Sequence, residues 1–146
     1  MKKYKTGYTT GVFDLFHIGH LNILKRAKEQ CEYLIVGVTS DELCYARKNK
    51  YPVISLNERM EIVQAIRYVD KVVVQTDMDK LEAVKRYHVD AVFVGNDWQN
   101  SAQWNRYETQ FAKEKCTVVY LPHTDGTSST MLKKVLEKIE NGGSKT

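Results

Sequence analysis

The stretch that decides the fold is Gly11-Val12-Phe13-Asp14-Leu15-Phe16-His17-Ile18-Gly19-His20. Lys5–Thr10 before it predicts a β-strand, and Gly19–Gln30 predicts a helix. His17 and His20 therefore lie three residues apart at a strand-to-helix turn, where such residues share one face. The first turn of a helix presents unpaired N–H groups and the positive end of its dipole. Two imidazoles, these donors and a glycine that admits close approach indicate a site for a polyphosphate.

Strands and helices alternate along the chain outward from this turn. Leu34–Val38 and Ala91–Val94 are near-continuous apolar runs, typical of buried parallel strands, whereas the first strand is polar and is placed centrally by topology. The predicted strands are Lys5–Thr10, Tyr33–Thr39, Lys71–Gln75, Ala91–Gly95 and Cys116–Tyr120. The predicted helices are Gly19–Gln30, Asp41–Arg47, Asn57–Tyr68 with Asn57 as its N-cap, Lys80–Tyr87, Ala102–Lys113 and Thr130–Glu140.

This alternation implies right-handed βαβ crossovers and a parallel sheet. The predicted fold class is therefore α/β: a single-domain, doubly wound, Rossmann-like sheet of five parallel strands. Ligands bind such sheets beyond the carboxyl ends of the strands, at the switch point, and the His17/His20 turn follows the first strand. We expect one domain over residues 1–140 and a flexible tail over 141–146.

Composition narrows the class of protein. The 146 residues are 42% hydrophobic, as expected for one soluble globular domain. A net charge of +4 suits anionic small molecules and is too weak by itself to indicate nucleic acid. Cys31, Cys44 and Cys116 lack metal-ligand spacing, which favours reduced thiols in the cytoplasm. No run approaches transmembrane length, and the basic N-terminus lacks the apolar region of a signal peptide.

Four further segments have both an ordinary structural interpretation and a functional one. The hydroxyl run Gly126–Thr130 would cap the last helix, hold part of a polyphosphate, or do both. Arg67–Asp70 would supply a cation that a helix C-terminus favours, or a ligand contact. Arg47–Lys50 is a solvated loop or a basic lid. In the segment Gly95–Trp98, after the fourth strand, Trp98 packs and Asp97 caps a helix, or the two form the rim of a ligand site.

Taken in order, these segments resemble the small bacterial glycerol-3-phosphate cytidylyltransferases, over Thr9 to about Ile139. His17-Ile18-Gly19-His20 by itself marks only the HxGH nucleotidyltransferase superfamily, which includes adenylyltransferases. Arg67–Asp70 and the Gly-x-Ser-Ser-Thr run favour the cytidylyl branch, which also holds the phosphocholine and phosphoethanolamine enzymes. The family's fold agrees with the predicted one. Its reaction joins CTP to a phosphate ester, giving a CDP-alcohol and pyrophosphate.

The resemblance implies roles for individual residues. His17 and His20 would stabilise charge on the α-phosphate, and Asp14 would help to organise the metal–triphosphate end, with Mg²⁺ carried by CTP rather than by a protein-built site. The residues implied in catalysis are His17, His20, Asp14, Ser128 and Arg67. Those implied in nucleotide binding are Val12, Phe13, Gly19, Lys48 or Lys50, Arg59, Asp70, Asp97, His123, Thr124, Gly126, Ser128, Ser129 and Thr130. Those implied in acceptor binding are Arg47, Lys80 and Trp98.

The sequence departs from the family pattern in two places that bear on the site. The family often has Arg where this chain has His123, and an arginine is a permanent charge whereas histidine is only partly charged near neutrality. The first acid of the family's Gly-Asp-Asp-Trp is Asn96 here. These departures affect how tightly the triphosphate is expected to bind and which acceptor is expected.

We therefore expect a cytoplasmic cytidylyltransferase that uses Mg-CTP and a small polyol phosphate, first of all glycerol 3-phosphate. The family further implies a homodimer and a product used for teichoic-acid-like or capsular polymers, with no membrane insertion and no nucleic-acid partner. Three alternatives stay open. The acceptor is phosphocholine, phosphoethanolamine or another polyol or sugar phosphate; the nucleotide is ATP; or the protein is a non-catalytic nucleotide-binding regulatory module.

Overall fold

A computed structural model of the chain describes residues 2–122 and 129–143. The strands are β1 (Tyr4–Gly11), β2 (Cys31–Thr39), β3 (Lys71–Gln75), β4 (Ala91–Gly95) and β5 (Thr117–Leu121). The helices are α1 (Ile18–Gln30), α2 (Asp41–Lys48), α3 (Leu56–Ala65), α4 (Lys80–Tyr87), α5 (Ala102–Ala112) and α6 (Ser129–Gly143), with a short 3₁₀ helix at Asn96–Trp98. The strands form one all-parallel sheet in the order β3-β2-β1-β4-β5. The predicted fold class is thus confirmed.

The strand order fixes where a ligand site can form. The chain builds outward from β1 through β2 to β3, then returns to the other side of β1 for β4 and β5. The carboxyl ends of β1 and β4 therefore flank the switch point of the sheet, which is where open α/β sheets bind ligands. The His17/His20 turn follows β1, and the Asn96–Trp98 helix follows β4. Both segments consequently meet at this crevice.

The polar strand β1 lies at the centre of the sheet, as topology predicts. Its Thr9 hydroxyl donates a 2.9 Å hydrogen bond to the carbonyl of Phe93. A Cβ added at Gly7 would lie 2.6 Å from the Phe93 ring and 2.8 Å from the sulfur of Cys31. The strand is therefore poor in large apolar side chains because its neighbours fill the space above it and bond to its hydroxyl.

Two hydrophobic clusters cover the two faces of the sheet. Helices α1 and α3 contribute Leu24, Ala27 and Val63 to one cluster, and α4 and α5 contribute Val84, Trp104 and Phe111 to the other. Successive residues of β2 alternate between them, because side chains along a strand point to opposite faces. Cys31, Cys44 and Cys116 are buried, unpaired thiols. None of the helices in residues 2–122 and 129–143 is long and apolar enough to cross a membrane.

Three predicted boundaries differ from those in the structure. The N-cap residue of α3 is Ser55 rather than Asn57, and the helix ends at Ala65 because Ile66 turns to an extended backbone. The segment up to Asp70 is a turn that leads into β3. Residues 141–143, predicted as tail, continue α6. Residues 144–146 lie outside the described part of the chain.

Candidate active site

The turn between β1 and α1 has an unusual backbone. Phe13 and Leu15 have φ angles of 55° and 52°, a left-handed conformation that is costly for bulky residues. Packing holds this strain, because Phe13 is buried and its ring meets the His20 ring edge-on at 5.4 Å. A Cβ at Gly11 would lie 3.0 Å from the Phe13 ring, so glycine leaves room for it. The strained turn places the two histidines at the mouth of the crevice.

His17 and His20 hold each other in one geometry. His17 is the N-cap residue of α1, and its Nδ1 accepts a 3.0 Å hydrogen bond from the backbone N–H of Gly19. The Nδ1 of His20 accepts a 3.2 Å bond from the backbone N–H of His17, and the rings stack with centroids 3.9 Å apart. A ring nitrogen that accepts carries no hydrogen, so each neutral imidazole has its proton on Nε2. Both rings therefore offer an Nε2–H to a ligand.

Both imidazoles are neutral at physiological pH. Burial lowers the pKa of His17 below its usual value. Burial, and then the charge of His17, lower the pKa of His20 to about 4. Neutral rings with fixed tautomers act as hydrogen-bond donors to phosphate oxygens rather than as stores of positive charge.

Asp14 joins three parts of the site. Its carboxylate is 2% exposed, and accepts bonds of 2.8 and 2.9 Å from the backbone N–H groups of Val53 and Ile54. Lys133 of α6 lies 2.9 Å from the same carboxylate. Burial raises the pKa of Asp14, but the Val53 and Ile54 hydrogen bonds and Lys133 outweigh it and keep the pKa below its usual value. In this structure, then, Asp14 ties a loop and α6 to the histidine turn.

The donors of the Arg59 side chain bond to other groups of the protein in this structure. Arg59 is 1% exposed, and its guanidinium donates to the carbonyl oxygens of Val12, Thr39 and Ile54 at 2.7–2.9 Å. It also pairs with the carboxylate of Asp41. The predicted nucleotide contact by Arg59 therefore does not fit its position. Arg59 instead fixes the carbonyl of Val12, whose backbone was predicted to approach the nucleotide.

The structure does not bring Arg67 and Asp70 to the histidine pair, because they precede β3 while the histidines follow β1. Their implied roles in the site stay a prediction. Helix α3 begins beside the site and runs away from it for 10 residues, about 15 Å. Asp70 accepts a 2.7 Å bond from the backbone N–H of Leu34 and pairs with Lys28, while the exposed Arg67 lies over the ring of the partly buried Tyr68. The motif is thus a structural helix-to-strand junction.

Lys80 and Arg47 form a second cluster of charge. Lys80 opens α4, is 6% exposed, and lies over the rings of Trp104 and Tyr107 at 5.7 and 5.8 Å. Burial, and then the charge of Arg47, lower the pKa of Lys80 to about 8. No hydrogen bond or ion pair to either cation is found among residues 2–122 and 129–143. A buried cation that feels a second positive charge and has no ion pair among the described residues is suited to an anion.

The remaining predicted residues of the described chain lie near the crevice or at its rim. Lys48 ends α2, and Asn49 after it has a left-handed backbone with φ 57°. The side chains of this basic loop, Lys50 included, are exposed. The rings of Tyr45 and Tyr51 stack across the base of this loop, 4.6 Å apart. Asp97 and the half-exposed Trp98 lie in the 3₁₀ helix after β4. Which lysine meets the nucleotide stays a prediction.

The hydroxyl segment is only partly described. His123, Thr124, Gly126 and Ser128 lie outside the described residues, and the backbone of Ser129 and Thr130 begins α6. The Lys133–Asp14 contact brings the first turns of α6 to the histidine turn. The N-terminus of α6 is therefore at the crevice, where the hydroxyl run was predicted to act.

Sequence reasoning missed three features of the site. Lys133 gave a weak signal, a lysine one helical turn after the hydroxyl run. Trp104 and Tyr107 have the helical spacing of ordinary core residues, and no sequence pattern near them indicates a contact with Lys80. The left-handed Phe13 and Leu15 gave no signal, since bulky residues rarely adopt that backbone.

A comparison with protein families gives the classification that this geometry suggests. The model of the Cytidylyltransferase-like family matches residues 8–135. The chain belongs to the cytidylyltransferase-like family. The match covers the end of β1, the histidine pair, Lys80 and the start of α6.

Members of this cytidylyltransferase-like family with different activities resemble the chain. A glycerol-3-phosphate cytidylyltransferase of Bacillus spizizenii is 38% identical, over 86% of this chain and 92% of that protein. An FAD synthase of Thermococcus sibiricus is 31% identical, over 90% of this chain and 89% of that protein. Among solved structures, a lipopolysaccharide core biosynthesis protein from Thermoplasma volcanium matches with a TM-score of 0.67 and 27% identity, covering 84% of this chain and 98% of that one.

Proposed function

We propose that this protein transfers CMP from CTP to the phosphate of glycerol 3-phosphate, releasing pyrophosphate. The observation that carries the proposal is the reciprocal bonding of His17 and His20, which fixes two Nε2–H donors beside the N-termini of two helices. Nucleotidyl transfer depends mainly on positioning and on stabilising charge at the reacting phosphorus. The similarity to the glycerol-3-phosphate cytidylyltransferase of Bacillus spizizenii supports this choice of nucleotide and acceptor.

In the proposed mechanism an oxygen of the acceptor phosphate attacks the α-phosphorus of CTP in line with the bond to pyrophosphate. Negative charge grows on the non-bridging α-oxygens as the phosphorus becomes five-coordinate, and the Nε2–H groups of His17 and His20 stabilise it. The acceptor phosphate is already an anionic nucleophile, so the reaction needs no general base. This agrees with the lowered pKa values of both rings, which keep them neutral donors.

Lys80 and Arg47 would bind the acceptor phosphate. Each lacks an anionic partner among residues 2–122 and 129–143, so a bound dianion would relieve their mutual repulsion. Burial of Lys80 reduces screening by water and strengthens its interaction with that dianion. Trp98 at the rim, and the basic loop with Lys48 and Lys50, would close over the bound substrates.

In this proposal the metal ion arrives bound to the substrate. No group of three or more His, Cys, Asp or Glu side chains suited to a metal exists among residues 2–122 and 129–143. The Asp14 carboxylate bonds to Val53, Ile54 and Lys133 here, so it organises the site rather than presenting a ligand position. Mg²⁺ bound to the triphosphate would neutralise charge on the leaving pyrophosphate. The hydroxyl run before α6 would hold that triphosphate.

Pyrophosphate release measured with pairs of substrates tests the proposal. CTP and ATP are each combined with glycerol 3-phosphate, phosphocholine, phosphoethanolamine or a sugar phosphate, in the presence of Mg²⁺. We expect turnover with CTP and glycerol 3-phosphate only, because the Bacillus spizizenii relative is a glycerol-3-phosphate cytidylyltransferase and Lys80 and Arg47 would bind a phosphate monoester. Turnover with ATP, in keeping with the similarity to FAD synthase, would overturn the choice of nucleotide. CTP binding without turnover would favour the regulatory module.

The pH dependence of acceptor use gives a second test. The pKa of Lys80 is lowered to about 8, so the side chain is charged below that pH and neutral above it. We expect kcat/KM for glycerol 3-phosphate to fall about tenfold per pH unit above 8, because the acceptor phosphate loses its cation. Lys80→Arg keeps its charge throughout and should remove this decline. A decline that persists in Lys80→Arg would assign the ionisation to another group.

The family resemblance extends the proposal to a cytoplasmic homodimer whose product supplies teichoic-acid-like or capsular polymers. Three buried, unpaired cysteines are in keeping with a reducing compartment. Sedimentation of the purified protein measures the oligomeric state directly, and a monomer at micromolar concentration would contradict the dimer.

A further inference from the structure

The ammonium of Lys80 occupies an aromatic recess rather than a salt bridge. Trp104 and Tyr107 lie three residues apart on α5, and both present their rings to the Lys80 Nζ, at 5.7 and 5.8 Å from the ring centroids. Trp104 is 5% exposed, so the recess is shielded from water. The quadrupole of a shielded aromatic ring attracts an ammonium that lies over its face. The N–H donors of that ammonium remain available to another partner.

Tyr107 also holds the backbone that carries Lys80. Its hydroxyl donates a 2.9 Å hydrogen bond to the carbonyl of Met78, and the backbone N–H of Lys80 donates to the same carbonyl at 3.0 Å. The Tyr107 ring stacks on Phe111 and meets Trp104 edge-on, which fixes the orientation of both recess rings. The turn before α4 and its first side chain are therefore held from α5.

We propose that Trp104 and Tyr107 are positioning residues that hold the Lys80 ammonium, without neutralising it, at the place where the acceptor phosphate binds. A carboxylate partner would fix the lysine equally well but would compete with the dianion. Aromatic faces fix it without that competition. The inference rests on the proposed role of Lys80 as a ligand of the acceptor phosphate.

Steady-state kinetics of two Trp104 variants test the inference. Trp104→Leu removes the aromatic face, whereas Trp104→Phe keeps one. We expect the KM for glycerol 3-phosphate to rise about tenfold in Trp104→Leu and to stay within about threefold of wild type in Trp104→Phe. In both variants kcat at saturating acceptor and the KM for CTP should be unchanged, because the histidine pair is not involved.

Two companion variants separate positioning from general damage. Tyr107→Phe keeps the ring and loses the bond to Met78, so the acceptor KM should rise about fivefold. Val89→Ala removes volume from the same hydrophobic cluster and should lower the melting temperature without changing the acceptor KM. If Val89→Ala changes KM as much as Trp104→Leu does, the recess acts only through stability and the inference is wrong.

Lys80→Ala distinguishes the inference from the proposed function. If Lys80→Ala leaves the acceptor KM unchanged, the proposed acceptor site fails. If Lys80→Ala raises KM and Trp104→Leu does not, only the positioning inference fails. The Lys80 ¹³Cε resonance, titrated with inorganic phosphate, reads the same interaction without turnover. We expect saturable shifts in wild type and about tenfold weaker binding in Trp104→Leu; equal affinity in the two proteins would overturn the inference.

Discussion

Replacing His17 with asparagine is expected to lower kcat about 10²- to 10³-fold while leaving the protein folded. Asparagine is among the best N-cap residues, and its Oδ1 can take the place of the His17 Nδ1 that accepts from Gly19. The variant therefore keeps the cap of α1 and loses the Nε2–H donor together with the stacking on the His20 ring. Removing one preorganised donor to a developing charge costs this much in other enzymes.

The measurement pairs pyrophosphate release from CTP and glycerol 3-phosphate with thermal unfolding. His17→Asn should change the free energy of unfolding by less than about 0.5 kcal/mol, whereas His17→Ala, which also loses the cap, should cost about 1 kcal/mol. Both should show the same loss of kcat. If His17→Asn keeps wild-type kcat, His17 is only a cap and the proposed chemistry is wrong.

Replacing Arg59 with methionine is expected to lower the free energy of unfolding by about 3–5 kcal/mol. The buried guanidinium bonds to the carbonyl oxygens of Val12, Thr39 and Ile54 and to the carboxylate of Asp41. Methionine fills similar volume but removes the Arg59 donors from all of these acceptors, and buried acceptors that lose a donor are costly. Urea denaturation followed by circular dichroism measures the loss.

Arg67→Met is the matched control, since Arg67 follows the same helix and is exposed. It should change the free energy of unfolding by no more than about 0.5 kcal/mol. A loss below about 1 kcal/mol in Arg59→Met would mean that this network does not hold the loops together. A large loss in Arg67→Met would show that the turn before β3 has a structural role that the exposed side chain does not suggest.

The local sequence pattern was sufficient to predict the strands and helices and the position of the histidine pair. Apolar runs such as Leu34–Val38 and the helical spacing around Leu24 depend on backbone periodicity, which neighbouring residues dictate. The spacing of His17 and His20 placed both rings at the start of α1 for the same reason. The end of α3 was overestimated because Arg67 and Tyr68 favour a helix locally, while Asp70 is held at Leu34 by the sheet.

Similar arginines have unlike roles, which no local pattern distinguishes. Arg59 and Arg67 are both helix-associated cations eight positions apart, yet one is buried among carbonyl oxygens and the other is exposed at the far edge of the sheet. Which arginine is buried depends on where Val12, Thr39 and Ile54 meet, and these residues are distant in sequence. The same holds for Asp14, whose partners come from a loop and from α6.

The amino-acid pattern alone was enough to give the order of strands and helices, the parallel α/β class, and the turn that carries two histidines. These depend on interactions within about one helical turn or one strand. The folded structure was needed to show that both neutral histidines have their proton on Nε2, that Arg59 bonds to three carbonyl oxygens, and that Lys80 lies over the rings of Trp104 and Tyr107. Each of these depends on burial or on bonds between segments brought together by the sheet, where removal from water sets protonation and the strength of charge interactions.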